Sequence, residues 1–179
     1  MATPTNAVSV PLDVYLKTSY RPDCDWMDGE VRERKMGEAP HSAVQKFLIN
    51  YLSAREGLWG ITVWPEQRVQ TSATHFRVPD LCATRDTAPF ERILKTAPVL
   101  CVEVMSPDDR LNELFERAED YLAMGVESVW IVDPQKRQAW VATRGGANPV
   151  LGDLTVAGWE IAVPLAEVFA YLDKLEARK

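Results

Sequence analysis

No stretch of this sequence is a long apolar run. None approaches the roughly 18 consecutive apolar residues that a membrane-spanning helix needs, so no membrane association is expected. The opening residues, MATPTNAVSVPLDVYLKTS, carry no basic stretch ahead of an apolar core, and no secretory signal is expected there. Cysteine is scarce, with Cys24, Cys82 and Cys101. An odd, widely spaced set is neither a disulfide framework nor a zinc motif. Cys82 and Cys101 lie in apolar, strand-like segments and read as buried free thiols, which suits a reducing cytoplasm. Positive charge is not in excess either, since the net charge is −6 at pH 7. A protein that grips nucleic acid by charge alone is basic. A nucleic-acid function here would have to rest on a local site with its metal ion. Internal repeats and Gly/Ser linkers are also lacking.

What remains is an ordinary globular composition. The chain has 179 residues, 46% hydrophobic and 26% charged, which fits one domain over 1–179 with a full core and argues against disorder. The expected parts are an N-terminal helix and hairpin (10–35), a core (40–143), and C-terminal strands and helix (150–172). Residues 10–19 suit a short helix, and Asp28-Gly29 between two extended runs is a hairpin signal. Val44, Phe47, Leu48, Tyr51 and Leu52 make one apolar face of a helix from His41 to Glu56, bracketed by Pro40 and Gly57. Residues 61–71 alternate like a strand, with Pro65 suggesting an edge or bulge. Residues 76–84 form another extended run, and PVLCVEVM (98–105) suits a strand buried on both faces. Ser106 as N-cap and Pro107 as first residue open the next helix. Its apolar stripe is Leu111, Leu114, Phe115, Ala118, Tyr121 and Leu122, and Gly125 ends it. Strands over 128–134 and 137–143 pair antiparallel. A weak strand follows Gly145-Gly146, then a strand over 159–164 and a helix over 165–172. This order is an α/β (α+β) domain with a mixed sheet flanked by helices. The six tryptophans read as core or interface residues, with Trp130 and Trp140 as candidates for an apolar dimer surface.

One feature carries chemistry. The apolar strand VLCVEVM contains a lone carboxylate, Glu103, and an earlier strand carries Asp80 directly after Pro79. An uncompensated carboxylate in an apolar strand costs several kcal/mol. A divalent cation would compensate it, and hard cations choose carboxylate oxygens. If the two strands are neighbours, both side chains can reach one Mg²⁺ or Mn²⁺, with the Val104 carbonyl as a candidate third ligand. The alternative is that Glu103 merely pairs with an arginine such as Arg77 or Arg85.

Several ordered segments carry a resemblance. They are Val78-Pro79-Asp80, Val102-Glu103-Val104-Met105-Ser106-Pro107, Tyr121-Leu122-Ala123-Met124-Gly125-Val126 and Val129-Trp130-Ile131-Val132-Asp133-Pro134. With Asp28-Gly29-Glu30, His41-Ser42 and Pro164-Leu165-Ala166-Glu167-Val168-Phe169, they resemble the bacterial Uma-type family of putative restriction endonucleases. That family lies in the PD-(D/E)XK nuclease superfamily, and the resemblance covers nearly the whole chain. It implies a restriction-endonuclease-like core, Mg²⁺ (or Mn²⁺), hydrolysis of DNA phosphodiester bonds, and a homodimer. It makes Asp80 the Asp of "PD" and Glu103 the acidic residue of "(D/E)XK", both metal ligands. Glu66 resembles a further acidic position of the metal shell, or else is a solvated charge on an edge strand. His41 resembles a position that touches metal or phosphate, or else is a plain helix-terminal histidine.

The sequence also departs from the family pattern. Met105 stands where "(D/E)XK" has its lysine. The family's lysine lies instead in the following helix, four residues before the Tyr of YLAMG, where this chain has Arg117. Its acidic neighbour one turn earlier is Glu113. Glu113 and Arg117 could equally be an ordinary i, i+4 surface pair. Arginine stays protonated and cannot act as the general base that activates water, but it can neutralise charge on a phosphorane. The expectation is a metal-dependent endonuclease. The alternatives are a weak or inactive nuclease-fold protein that binds nucleic acid or a partner, and an enzyme of other chemistry at the same metal site.

Overall fold

Asp80 and Glu103 end up side by side because of how the strands that carry them are paired. The structure, a computed structural model, describes residues 9–35 and 37–178. The chain begins with α1 (Leu12–Lys17), β1 (Cys24–Met27), β2 (Glu30–Glu33), α2 (Ala39–Ser53) and the one-turn α3 (Glu56–Trp59). Next come β3 (Ile61–Pro65), β4 (Val69–Gln70), β5 (His75–Arg77), β6 (Leu81–Arg85), β7 (Leu100–Val104) and α4 (Leu111–Met124). The chain closes with β8 (Ser128–Asp133), β9 (Gln138–Thr143), β10 (Gly146–Pro149), β11 (Asp153–Thr155), β12 (Ala162–Pro164) and α5 (Leu165–Glu176).

The main sheet has the order β10-β9-β8-β7-β6-β3, and a smaller one has the order β2-β1-β5-β4. Strands β7 and β8 are parallel, joined by α4 as crossover, while β6–β7 and β8–β9 are antiparallel. This is the mixed sheet flanked by helices that the sequence predicts. Both faces are covered, which is why β7 and β8 are buried at every position. Leu100, Val102 and Val104 pack with α2 and α5 residues such as Leu48 and Val168. Cys101 points the other way, among Leu114, Ala118 and Tyr121 of α4. With a side-chain period of two, Glu103 shares the α4 face with Cys101.

Several boundaries differ from the sequence expectation. The run 76–84 is two strands in two sheets, with Val78–Asp80 crossing between them. The helix expected to start at Ser106-Pro107 begins at Leu111. The Asp109 carboxylate accepts the Ser106 N–H at 2.7 Å and the Asp109 N–H returns to the Ser106 carbonyl at 3.0 Å. That local turn outcompetes a helical start, as Asp side chains commonly do. Pro40 lies inside the first turn of α2, and Gly57 lies within α3. The residue that ends α3 is Gly60, at φ 61°. Of residues 159–164 only Ala162–Pro164 is strand, paired with β11. Trp130 is fully buried and its indole N–H donates to the Thr155 carbonyl at 2.7 Å, so it forms no surface. Other expectations hold: the β1–β2 hairpin turns at Asp28-Gly29, β3 is an edge strand, and Gly125 closes α4 in a left-handed conformation. All three cysteines are buried free thiols. Among the described residues no helix is long and apolar enough to cross a membrane.

Candidate active site

Register brings the two carboxylates together. Leu81 faces Val102 and Cys82 faces Cys101 across β6–β7. One residue beyond that ladder, Asp80 faces Glu103, and its N–H still donates to the Val102 carbonyl at 3.1 Å. Like charges directly opposite on one sheet face repel, and both residues are only 1% exposed. The site therefore needs cations, and the chain supplies them.

Arg34, just after β2, places its guanidinium on Asp80 Oδ1, with the same nitrogen 3.9 Å from Glu103 Oε2. Arg117 of α4 donates to Glu103 Oε2 at 3.1 Å. Tyr121, one turn further on, donates its hydroxyl to Glu103 Oε1 at 2.8 Å. Asp80 Oδ2 accepts the Val104 N–H at 2.6 Å and lies 3.3 Å from His41 Nε2. Gln45 donates to the Asp80 carbonyl at 2.9 Å and reaches Glu66 Oε1 at 3.4 Å. All four carboxylate oxygens thus have partners. The Arg34 Nε–H, by contrast, is buried without an acceptor among the described residues, which costs about 1–3 kcal/mol.

Burial alone would raise the pKa of Asp80, but Arg34, His41 and the Val104 N–H outweigh it and hold the group at about 2. Burial dominates at Glu103 and pushes its pKa up, with Asp80 adding and Arg117 opposing. Burial disfavours protonated His41, yet its contact with Asp80 prevails and raises its pKa. Desolvation keeps Tyr121 well above its ordinary value, so it remains a hydroxyl donor.

The predicted residues fall into four groups. Asp80, Glu103, Arg117 and His41 converge. Glu66 lies on the rim, lining with Asp80, His41 and Arg34 a cavity of about 180 Å³. Glu113 goes elsewhere: it accepts from Lys35 at 2.7 Å, and the Glu113–Arg117 pair does not form. Val104 meets Asp80 through its N–H, a contact the sequence reading did not anticipate. The suggested partners of Glu103 are also replaced, because Arg77 pairs with Asp25 and Asp120 and Arg85 with Glu127. Arg34, Gln45 and Tyr121 carried no functional signal in isolation. Only Tyr121 could have been found, because it follows Arg117 at i+4 on one helix face.

The sequence model of the Uma2 family, described as putative restriction endonuclease, matches residues 14–168. The chain belongs to this family. Among solved structures, a putative nuclease of the DUF820 group from Anabaena variabilis shares the fold of this Uma2 chain. The TM-score is 0.80 at 19% identity, over 91% of this chain and 99% of that one. The DrdV–DNA complex gives a TM-score of 0.44 at 17% identity, over 78% of this chain and 12% of that one. No curated protein matches the sequence.

Nucleases of this type commonly work with a divalent ion, and the Uma2 site can be tested for one. Among the described residues no three His, Cys, Asp or Glu side chains form a ready-made metal cage. Mg²⁺ does not need one, because it keeps several waters and binds through one or two carboxylates plus substrate phosphate. Asp80 and Glu103 are such a pair, and the space between them already suits a cation, since Arg34 reaches both. The donor set fits such an ion.

Proposed function

We propose that this chain is a divalent-metal-dependent endonuclease that hydrolyses phosphodiester bonds in DNA, using Mg²⁺ or Mn²⁺. The observation that carries the reading is the facing pair Asp80 and Glu103, two buried carboxylates on one sheet face, with Asp80 lining a cavity. These two residues would hold the ion, with His41 orienting Asp80. A bound ion supplies Lewis acidity to the phosphoryl group and acidifies attacking water. Arg117, buried against Glu103, would hold a fixed positive charge where negative charge develops on phosphorus. Tyr121 fixes the Glu103 carboxylate so that one oxygen stays aimed at Arg117. Residues 1–179 would act as one nuclease unit in a reducing cytoplasm, as a homodimer that engages both DNA strands.

A second reading, a nuclease-fold protein that binds nucleic acid without cutting it, is favoured by one observation: arginines already neutralise both carboxylates. Plasmid nicking with Mg²⁺ or Mn²⁺ separates the two. The endonuclease reading expects nicking by the wild type and at least a roughly 100-fold loss in Asp80→Ala. Metal binding with no nicking under any divalent ion selects the binding protein.

A further inference from the structure

We propose that Arg34 is an internal stand-in for the divalent ion, holding the Asp80–Glu103 pair until the ion displaces its guanidinium into the adjoining cavity. This rests on the metal-dependent reading above. Three observations carry it. First, the Arg34 guanidinium reaches both carboxylates. A divalent ion entering beside Arg34 and Arg117 would add two further positive charges to a pair already balanced by two guanidiniums, so Arg34 and the ion exclude each other. Second, the present position does not satisfy Arg34, because its Nε–H is buried without an acceptor among the described residues. Third, there is somewhere for the side chain to go. The cavity beside it, about 180 Å³, is lined by Asp23 and Glu66. Neither carboxylate has an ion pair among the described residues, and Glu66 has only the long 3.4 Å contact from Gln45.

The tether suits a side-chain movement on a fixed backbone. Arg34 lies between β2 and α2, outside both. Its neighbour Lys35 is pinned by the Asp108 carbonyl at 2.6 Å and by Glu113 at 2.7 Å. Swinging the guanidinium out would give Asp23 and Glu66 a counter-ion and Nε an acceptor. In this account Glu66 receives the displaced arginine and is not itself a metal ligand.

Mn²⁺ binding, read by electron paramagnetic resonance on the full chain, tests the exchange in wild type, Arg34→Met and Asp80→Asn. The expected result is at least tenfold tighter binding by Arg34→Met than by wild type, and none by Asp80→Asn. Equal affinity in wild type and Arg34→Met, with binding lost in Asp80→Asn, overturns the stand-in and leaves the metal site intact. No Mn²⁺ bound by either wild type or Arg34→Met overturns the metal reading and the stand-in together. Should Arg34→Met not fold, wild type carrying ¹⁵N-arginine answers the same question. The Arg34 Nε–H resonance is expected to move as Mg²⁺ is added, and an unmoved resonance at saturating Mg²⁺ overturns the exchange.

Discussion

The buried charges around Arg77 and those around Arg34 use the same residue types to different ends. Arg77 gives Nε to Asp120 at 2.8 Å and one terminal nitrogen to Asp25 at 2.9 Å, and its other terminal nitrogen lies 2.7 Å from Asp120. The second Asp25 oxygen accepts the Val78 N–H at 3.0 Å, and His75 bridges Asp120 and Asp28. Each guanidinium nitrogen has a carboxylate partner, and this cluster ties β1, β5 and α4 together. Around Arg34 the carboxylates are satisfied but the guanidinium is not, and a cavity opens beside it. A buried ion cluster whose donors and acceptors all match has no reason to change partners. One with a donor left over and space beside it can exchange them.

Breaking the matched cluster has the largest expected effect. Arg77→Met leaves Asp25 buried and uncompensated, and urea denaturation is expected to show a loss of about 3–5 kcal/mol. Arg34→Met is expected to cost less than half of that, because His41 and the Val104 N–H still hold Asp80 and Arg117 still holds Glu103. Equal losses would erase the distinction between the clusters.

That distinction was only partly legible in the sequence. A lone glutamate in an apolar strand and an aspartate after Pro79 stand out because burial of a charge needs a reason, and the helical stripe before Gly125 locates α4. Local pattern could not supply the partners. Arg34 lies 46 residues from Asp80 in sequence, and nothing in VRERK distinguishes it from its charged neighbours. The break at Val78–Asp80 was hidden because an extended run looks the same whether it stays in one sheet or crosses to another. The delayed start of α4 turned on one side-chain contact, Asp109 to Ser106, competing with a good N-cap sequence.

Two smaller effects sharpen the comparison inside the candidate site. Tyr121→Phe removes the hydroxyl on Glu103 Oε1 and leaves a buried charged acceptor short of a donor. Urea denaturation is expected to show a loss of about 1.5–3 kcal/mol; a neutral result would mean that water or Arg34 takes over that oxygen. Arg117→Lys restores an amine that can lose its proton, and plasmid nicking is expected to rise roughly tenfold, below the range for an ideally placed general base. An unchanged rate would count against a role for position 117 in the chemistry.

The most direct measurement is a crystal of this chain grown with Mn²⁺ and examined for anomalous scattering. One strong peak is expected about 2.1 Å from a carboxylate oxygen of Asp80 and from one of Glu103. Scattering confined to other surface carboxylates, with the guanidinium of Arg34 still lying between the two acids, would contradict it.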